Sequence, residues 1–116
     1  MKFEELCDKV RELATTYPSA TYLGEVCSYT RGDVRNGPET LGCIFGQAIR
    51  LLDPDLLETI GADCYYDHEA IDELLARGVI SPPKEPSLAS WASALQDQQD
   101  LRVPWGEALR LADEGL

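Results

Sequence analysis

The chain has 116 residues, of which 44% are hydrophobic and 27% charged, and its formal net charge is −11 at pH 7. This composition is typical of one globular domain with its own core, and it is too apolar for a disordered chain. The strong negative charge argues against direct binding of nucleic acid, because neutralising phosphates requires clustered Lys and Arg side chains.

The distribution of apolar residues excludes a second class of partner. No stretch approaches the roughly 18 consecutive apolar residues of a membrane span, so we expect no membrane partner. The first residues, "MKFEELCDKVREL", are acidic and helical in period and do not resemble a secretion signal. We therefore expect a cytoplasmic protein in which the cysteines are reduced thiols.

The first half of the chain predicts two helices separated by a short β element. Apolar residues at the i, i+3, i+4, i+7 spacing predict a helix over 3–17, which Pro18 ends. Residues near 20–36 are rich in β-branched and aromatic side chains and then in turn dipeptides, as in a small hairpin. A second helical pattern runs from Leu41 to Leu52 and places Cys43, Gln47 and Arg50 off its apolar stripe.

The glycines of this second helix raise a question about packing. Gly42 and Gly46 lie one turn apart, and each weakens a helix interior by about 1 kcal/mol relative to alanine. We expect this cost to be offset by close approach of another backbone, with the extended segment around Cys27 as the candidate.

The second half of the chain predicts short helices joined by tight connections. "DPDLLETIGAD" predicts a helix closed by Gly61, and "YDHEAIDELLARG" predicts one that Asp67 caps and Gly78 ends. After the extended connector "SPPKEP", Ser87 is the expected cap of a helix that buries Leu88, Trp91, Ala94 and Leu95. Pro104 opens a last helix that buries Trp105, Ala108, Leu109 and Ala112. The prediction is a mainly α, single domain over 1–116, with five or six short helices and one short β element.

The acidic residues are unevenly spread, since residues 51–76 hold eight of the 21 and contain no Lys or Arg. Such a surface either maintains solubility or meets a basic partner. We predict a non-enzymatic interaction protein without a cofactor, monomeric or homodimeric, that binds a host or cellular protein through this surface. A mimic of nucleic acid that blocks a DNA-binding protein is the alternative. The predicted partner-binding patch consists of Asp63, Asp67, Glu69, Asp72 and Glu73.

The cysteines support a third hypothesis, from a different class. Cys43 near a helix N-terminus has the setting of an activated thiol, and Cys27 would be its partner in a thiol pair. Cys27, Cys43, Cys64 and His68 also have the residue types of a structural zinc site. No two of these cysteines have the close pairing typical of zinc knuckles, and buried thiols explain the same residues.

Two segments of the sequence resemble small uncharacterised proteins of actinobacteria and their phages. The segments are "CSYT…GPETLGCIFGQAIRLL" and "ALQDQQDLRVPWGEAL". The positions that match the family pattern are Cys27, Tyr29, Cys43, Ile44, Gly46, Ala48, Ile49, Gln96, Gln99, Asp100, Trp105, Ala108 and Leu109. The resemblance leaves residues 53–90 uncovered. It implies a bacterial or bacteriophage setting and a pairing of Cys27 with Cys43, and it implies no activity.

Overall fold

The fold is built from helices alone in the part of the chain that is described. The computed structural model describes residues 1–22, 28–30, 32–33, 35, 42–67 and 69–115. These residues form α1 (Phe3–Thr16), α2 (Ile44–Leu52), α3 (Pro54–Ala62), α4 (Cys64–Asp67), α5 (Ile71–Ala76), α6 (Pro86–Asp100) and α7 (Trp105–Asp113). The predicted mainly helical fold is confirmed. No strand occurs among the described residues of the predicted β element, and its positions 23–27, 31, 34 and 36 lie outside them.

Helix α2 lies at the centre of the molecule, where it contacts α1, α3 and α6. Every residue from Ile44 to Ile49 is buried, because neighbouring elements cover all sides of the helix. Two of the residues predicted to lie off the apolar stripe are fully buried: Gln47, and Cys43, which is the N-cap residue rather than part of the first turn. Leu52, which we predicted to face the core, is instead 37% exposed at the end of the helix.

Gly46 allows the backbone of residues 28–30 to lie directly on α2. A Cβ atom placed on Gly46 would lie 1.9 Å from the Tyr29 carbonyl oxygen and 2.6 Å from the Tyr29 Cα. No L-amino acid other than glycine fits this approach without a backbone shift. The predicted close approach is confirmed at Tyr29, two residues beyond Cys27, and Cys27 itself lies outside the described residues.

Helix α6 packs on α7 and also contacts α1, α2 and α5. The prediction of its start is wrong, because Pro86 opens the helix and Glu85, not Ser87, is the N-cap residue. The predicted buried face is also rotated. Leu95 is buried as predicted, whereas Leu88, Trp91 and Ala94 are half-buried, and the other buried residues of this helix are Ala92, Gln96 and Gln99.

The buried glutamines of α6 serve as remote caps for two other helices. The Gln99 Oε1 atom accepts a hydrogen bond from the backbone N–H of Ile44, the first residue of α2. The Gln96 Oε1 atom accepts one from the backbone N–H of Ile71, the first residue of α5, at 2.7 Å. Neither helix is capped by the side chain of its own N-cap residue. Amides that would otherwise be buried without a partner are therefore satisfied from α6.

The middle helices differ from their predicted ends. Helix α3 continues through Gly61, and the side chain of Asp53 caps it by accepting a hydrogen bond from the Leu56 N–H at 3.1 Å. Asp67 is the last residue of α4, so its predicted role as the cap of the next helix is wrong. Gly78, with φ +75°, follows α5 as predicted. None of the helices formed by the described residues has the length and apolar character needed to cross a membrane.

Candidate functional site

Asp67, predicted to be part of a partner-binding surface, faces the interior of the fold. Its residue surface is only 8% exposed. Its carboxylate accepts hydrogen bonds from the Ser28 hydroxyl at 2.9 Å, the Thr30 N–H at 2.9 Å and the Thr30 hydroxyl at 3.0 Å. Its backbone oxygen accepts a further bond from the Tyr29 N–H at 3.2 Å. Asp67 therefore holds residues 28–30 (the 28–30 strap) against the helices.

Glu69 has a similar structural position. Its side chain is only 10% exposed, and its carboxylate oxygens accept hydrogen bonds from Arg77 Nε at 2.7 and 2.9 Å. Its backbone oxygen accepts a bond of 2.6 Å from the Tyr29 hydroxyl, which in turn accepts one from Gln96 Nε2 at 3.1 Å. Arg77 therefore balances the negative charge of the Glu69 carboxylate. The Tyr29 hydroxyl connects the Glu69 backbone oxygen to the buried Gln96 of α6.

The other three residues of the predicted patch are exposed. Asp63 follows the end of α3, and Asp72 and Glu73 lie in the first turn of α5. Asp72 lines a shallow groove between α5 and α6 that also contains Asp97. The predicted five-residue patch is therefore divided, with Asp67 and Glu69 used inside the fold and the remaining three exposed at the surface.

A second acidic surface adjoins two exposed leucines. Leu51 and Leu52 are 40% and 37% exposed at the end of α2, and Asp55 and Glu58 are exposed on α3 immediately after them. Asp55 and Glu58 are three residues apart and so share one side of their helix. We call these four residues the α2–α3 corner. It combines apolar and negatively charged side chains within a few residues of chain.

A broad groove lies between α1 and α6. It has a volume of about 970 Å³. Its walls are formed by Glu4 to Arg11 of α1 and Ser87 to Ala94 of α6, and Ala112 and Gly115 line it near the end of the chain. This α1–α6 groove was not predicted from the sequence. Its size lies at the upper end of the range of ligand pockets.

The structure describes only some of the residues of the predicted thiol pair and zinc site. Cys27 and His68, and the side chain of Cys64, lie outside the description. Cys43 is fully buried, with Gln99 Nε2 at 3.6 Å from its sulfur. Cys7 is buried on α1, and burial raises the pKa of its thiol to about 12. Within the described part of the chain, His, Cys, Asp and Glu residues form no group of three or more that could hold a metal ion.

Cys7 and Cys43 are expected to resist alkylation while the protein is folded. Both are buried, and the raised pKa of the Cys7 thiol leaves little reactive thiolate at pH 8. Pulse labelling with iodoacetamide at pH 8, read by peptide mass spectrometry, should modify both cysteines at least roughly a hundredfold more slowly in the native protein than in urea. Rapid native labelling of Cys43 would support the activated-thiol hypothesis instead.

None of the protein-family models, curated proteins or solved structures compared with this chain matches it. The resemblance to actinobacterial and phage proteins stays a prediction.

Proposed function

We propose that this protein is a non-enzymatic interaction protein that binds a basic surface of a host or cellular protein. The binding surface is the α2–α3 corner. The observation that carries the proposal is the exposure of Leu51 and Leu52 within a few residues of the exposed Asp55 and Glu58. Leu101 is the only other large hydrophobic residue of the described chain that is classed as exposed.

Some carboxylates of the acidic stretch are engaged inside the fold and others are exposed. Of the eight between residues 51 and 76, three are used inside the fold, because Asp53 caps α3, Asp67 holds the 28–30 strap and Glu69 pairs with Arg77. The five exposed ones are Asp55, Glu58, Asp63, Asp72 and Glu73. Since the same stretch contains no Lys or Arg, these five give its surface a single sign of charge.

Charge and apolar contact have different roles in the proposed complex. A negative surface attracts a basic partner, raises the rate of encounter and makes that rate sensitive to salt. Leucines that become buried on binding contribute stability, on the order of 25 cal/mol for each Å² of apolar surface removed from water. The corner supplies both effects in one place, and this combination favours a protein surface over nucleic-acid mimicry, for which exposed leucines have no use.

The experiment is capture of a partner followed by binding of that partner in purified form. Wild-type protein is compared with the Asp55→Lys/Glu58→Lys variant, and the matched control is Asp72→Lys/Asp97→Lys. Both variants change the net charge equally, but the control changes the α5–α6 groove instead of the corner. We expect a partner that wild type and control retain and that the corner variant loses.

Two results would count against the proposal. Equal retention by the corner variant and wild type would show that the corner is not the binding surface. Loss of binding in both variants would show that only the overall charge matters, and displacement of DNA from the captured protein would then favour the mimic.

A further inference from the structure

The α1–α6 groove shares no lining residue with the α2–α3 corner. Both of its walls are helical stripes with the same spacing. On α1 the lining residues are Glu4, Cys7, Asp8 and Arg11, and on α6 they include Ser87, Ser90, Trp91 and Ala94. Each set follows the i, i+3, i+4, i+7 pattern of one helix face, so each wall is about 10 Å long. That length corresponds to two turns of a third helix lying alongside.

Part of the groove lining is apolar, and its Trp91 side chain is held in place by two contacts. Its apolar lining residues are Cys7, Leu88, Trp91, Ala94 and Ala112. The indole N–H of Trp91 donates a hydrogen bond to the Asp113 carboxylate at 2.9 Å, and the Arg11 guanidinium lies over the Trp91 ring at 5.3 Å. Burial keeps the Cys7 thiol neutral by raising its pKa. A half-buried tryptophan that is already held in place is well suited to be a binding hot spot.

The rim of the groove is negatively charged. Arg11 donates two hydrogen bonds to Asp113, at 2.7 and 2.9 Å, and this guanidinium lowers the pKa of the Asp113 carboxyl. Asp113 balances the positive charge of Arg11. The other charged groups that line the groove are the carboxylates of Glu4, Asp8 and Glu85 and the ammonium group of Lys84. Glu4 accepts a hydrogen bond from the Lys84 backbone N–H at 2.8 Å.

We propose that the α1–α6 groove binds an amphipathic, cationic helical segment of a partner protein. Apolar residues on one face of that segment would contact Trp91 and Leu88, and its flanking Lys or Arg side chains would meet Asp8 and Glu85. Two helical walls that carry apolar side chains, with carboxylates at the rim, are complementary to such a helix. The α2–α3 corner has no part in this site, so either proposal can fail without the other.

The test is a fluorescence titration with synthetic helical peptides. The probe peptide has leucines at i, i+4 and i+7 and lysines on the flanks. A second peptide has serines in place of the leucines at equal charge, and a third has glutamates in place of the lysines. Trp91 is the reporter because it lines the groove, whereas Trp105 is fully buried. A Trp91→Phe variant verifies that the signal comes from this residue.

We expect a saturable Trp91 response to the leucine-lysine peptide and affinities at least roughly tenfold lower for the other two peptides. Asp8→Lys/Glu85→Lys should weaken the lysine peptide about tenfold, and Ser90→Arg, which places a bulky cation on the wall, should do the same. Asp55→Lys/Glu58→Lys should leave the peptide affinity unchanged.

Two outcomes would overturn the proposal. Equal binding of the serine and leucine peptides would show attraction by net charge without use of the groove. Undiminished binding by Asp8→Lys/Glu85→Lys and Ser90→Arg, with thermal unfolding showing that both variants are folded, would place the peptide elsewhere.

Discussion

Replacing Gly46 by alanine is expected to destabilise the protein by about 3 kcal/mol or more, at the upper end of the range for overpacked cores. The added Cβ would lie 1.9 Å from the Tyr29 carbonyl oxygen, and the surrounding residues of α2 are fully buried. This clash can be relieved only if the backbone of the 28–30 strap or of α2 moves. Urea unfolding followed by circular dichroism measures the loss.

Gly61→Ala is the matched control for this prediction. It also adds one methyl group within a helix facing the same strap, but the contact at 2.8 Å is with the side-chain methyl of Thr30 instead of backbone. Alanine has a higher helix propensity than glycine, by about 1 kcal/mol, and this gain offsets part of the strain. A Gly46→Ala protein as stable as Gly61→Ala would show that the strap does not lie on α2 as described.

Replacing Asp67 by alanine is expected to lower the free energy of unfolding by about 3 kcal/mol, because hydrogen bonds to a buried charged group are among the most stabilising. The substitution removes the acceptor for the Ser28 hydroxyl and for both donors of Thr30. Asp67→Asn keeps one carbonyl oxygen as an acceptor, so it should lose less. Urea unfolding measures the free energy of unfolding of both variants, which can then be compared.

Glu73→Ala is the control for Asp67, since it removes an exposed carboxylate from the same acidic stretch. A change within about 0.5 kcal/mol is expected for such a surface position. If Asp67→Ala were as stable as Glu73→Ala, the carboxylate would not be holding the strap. Asp67 would then be available for binding, as the sequence alone predicts.

Much of the fold could be predicted because the spacing of apolar residues and the positions of helix-breaking residues determine where helices form locally. The stripe of α1, the stop at Gly78 and the helix after Pro104 are all local features. The buried face of α6 could not be predicted in the same way. Gln96 and Gln99 are polar, so a hydropathy pattern places them in solvent, whereas their burial depends on the N-termini of two distant helices.

The role of the carboxylates in the acidic stretch could not be predicted from a local pattern either. Sequence identifies the run of carboxylates, but the partners of Asp67 are Ser28 and Thr30, which lie 39 and 37 residues away. The contacts that give Asp67 and Glu69 structural roles form only in the folded chain, with the 28–30 strap and with Arg77. The α1–α6 groove escaped prediction because its lining mixes apolar, acidic and basic side chains, and no one-dimensional pattern marks that mixture.

The central claim is that the exposed carboxylates and leucines of the α2–α3 corner bind a basic partner. The most direct measurement is calorimetric titration of the captured, purified partner with wild type, Asp55→Lys/Glu58→Lys and Asp72→Lys/Asp97→Lys. We predict an affinity loss of roughly a hundredfold for the corner variant, a much smaller loss for the control, and weaker binding by wild type in high salt. Equal affinity of wild type and the corner variant, with both folded, would contradict the claim.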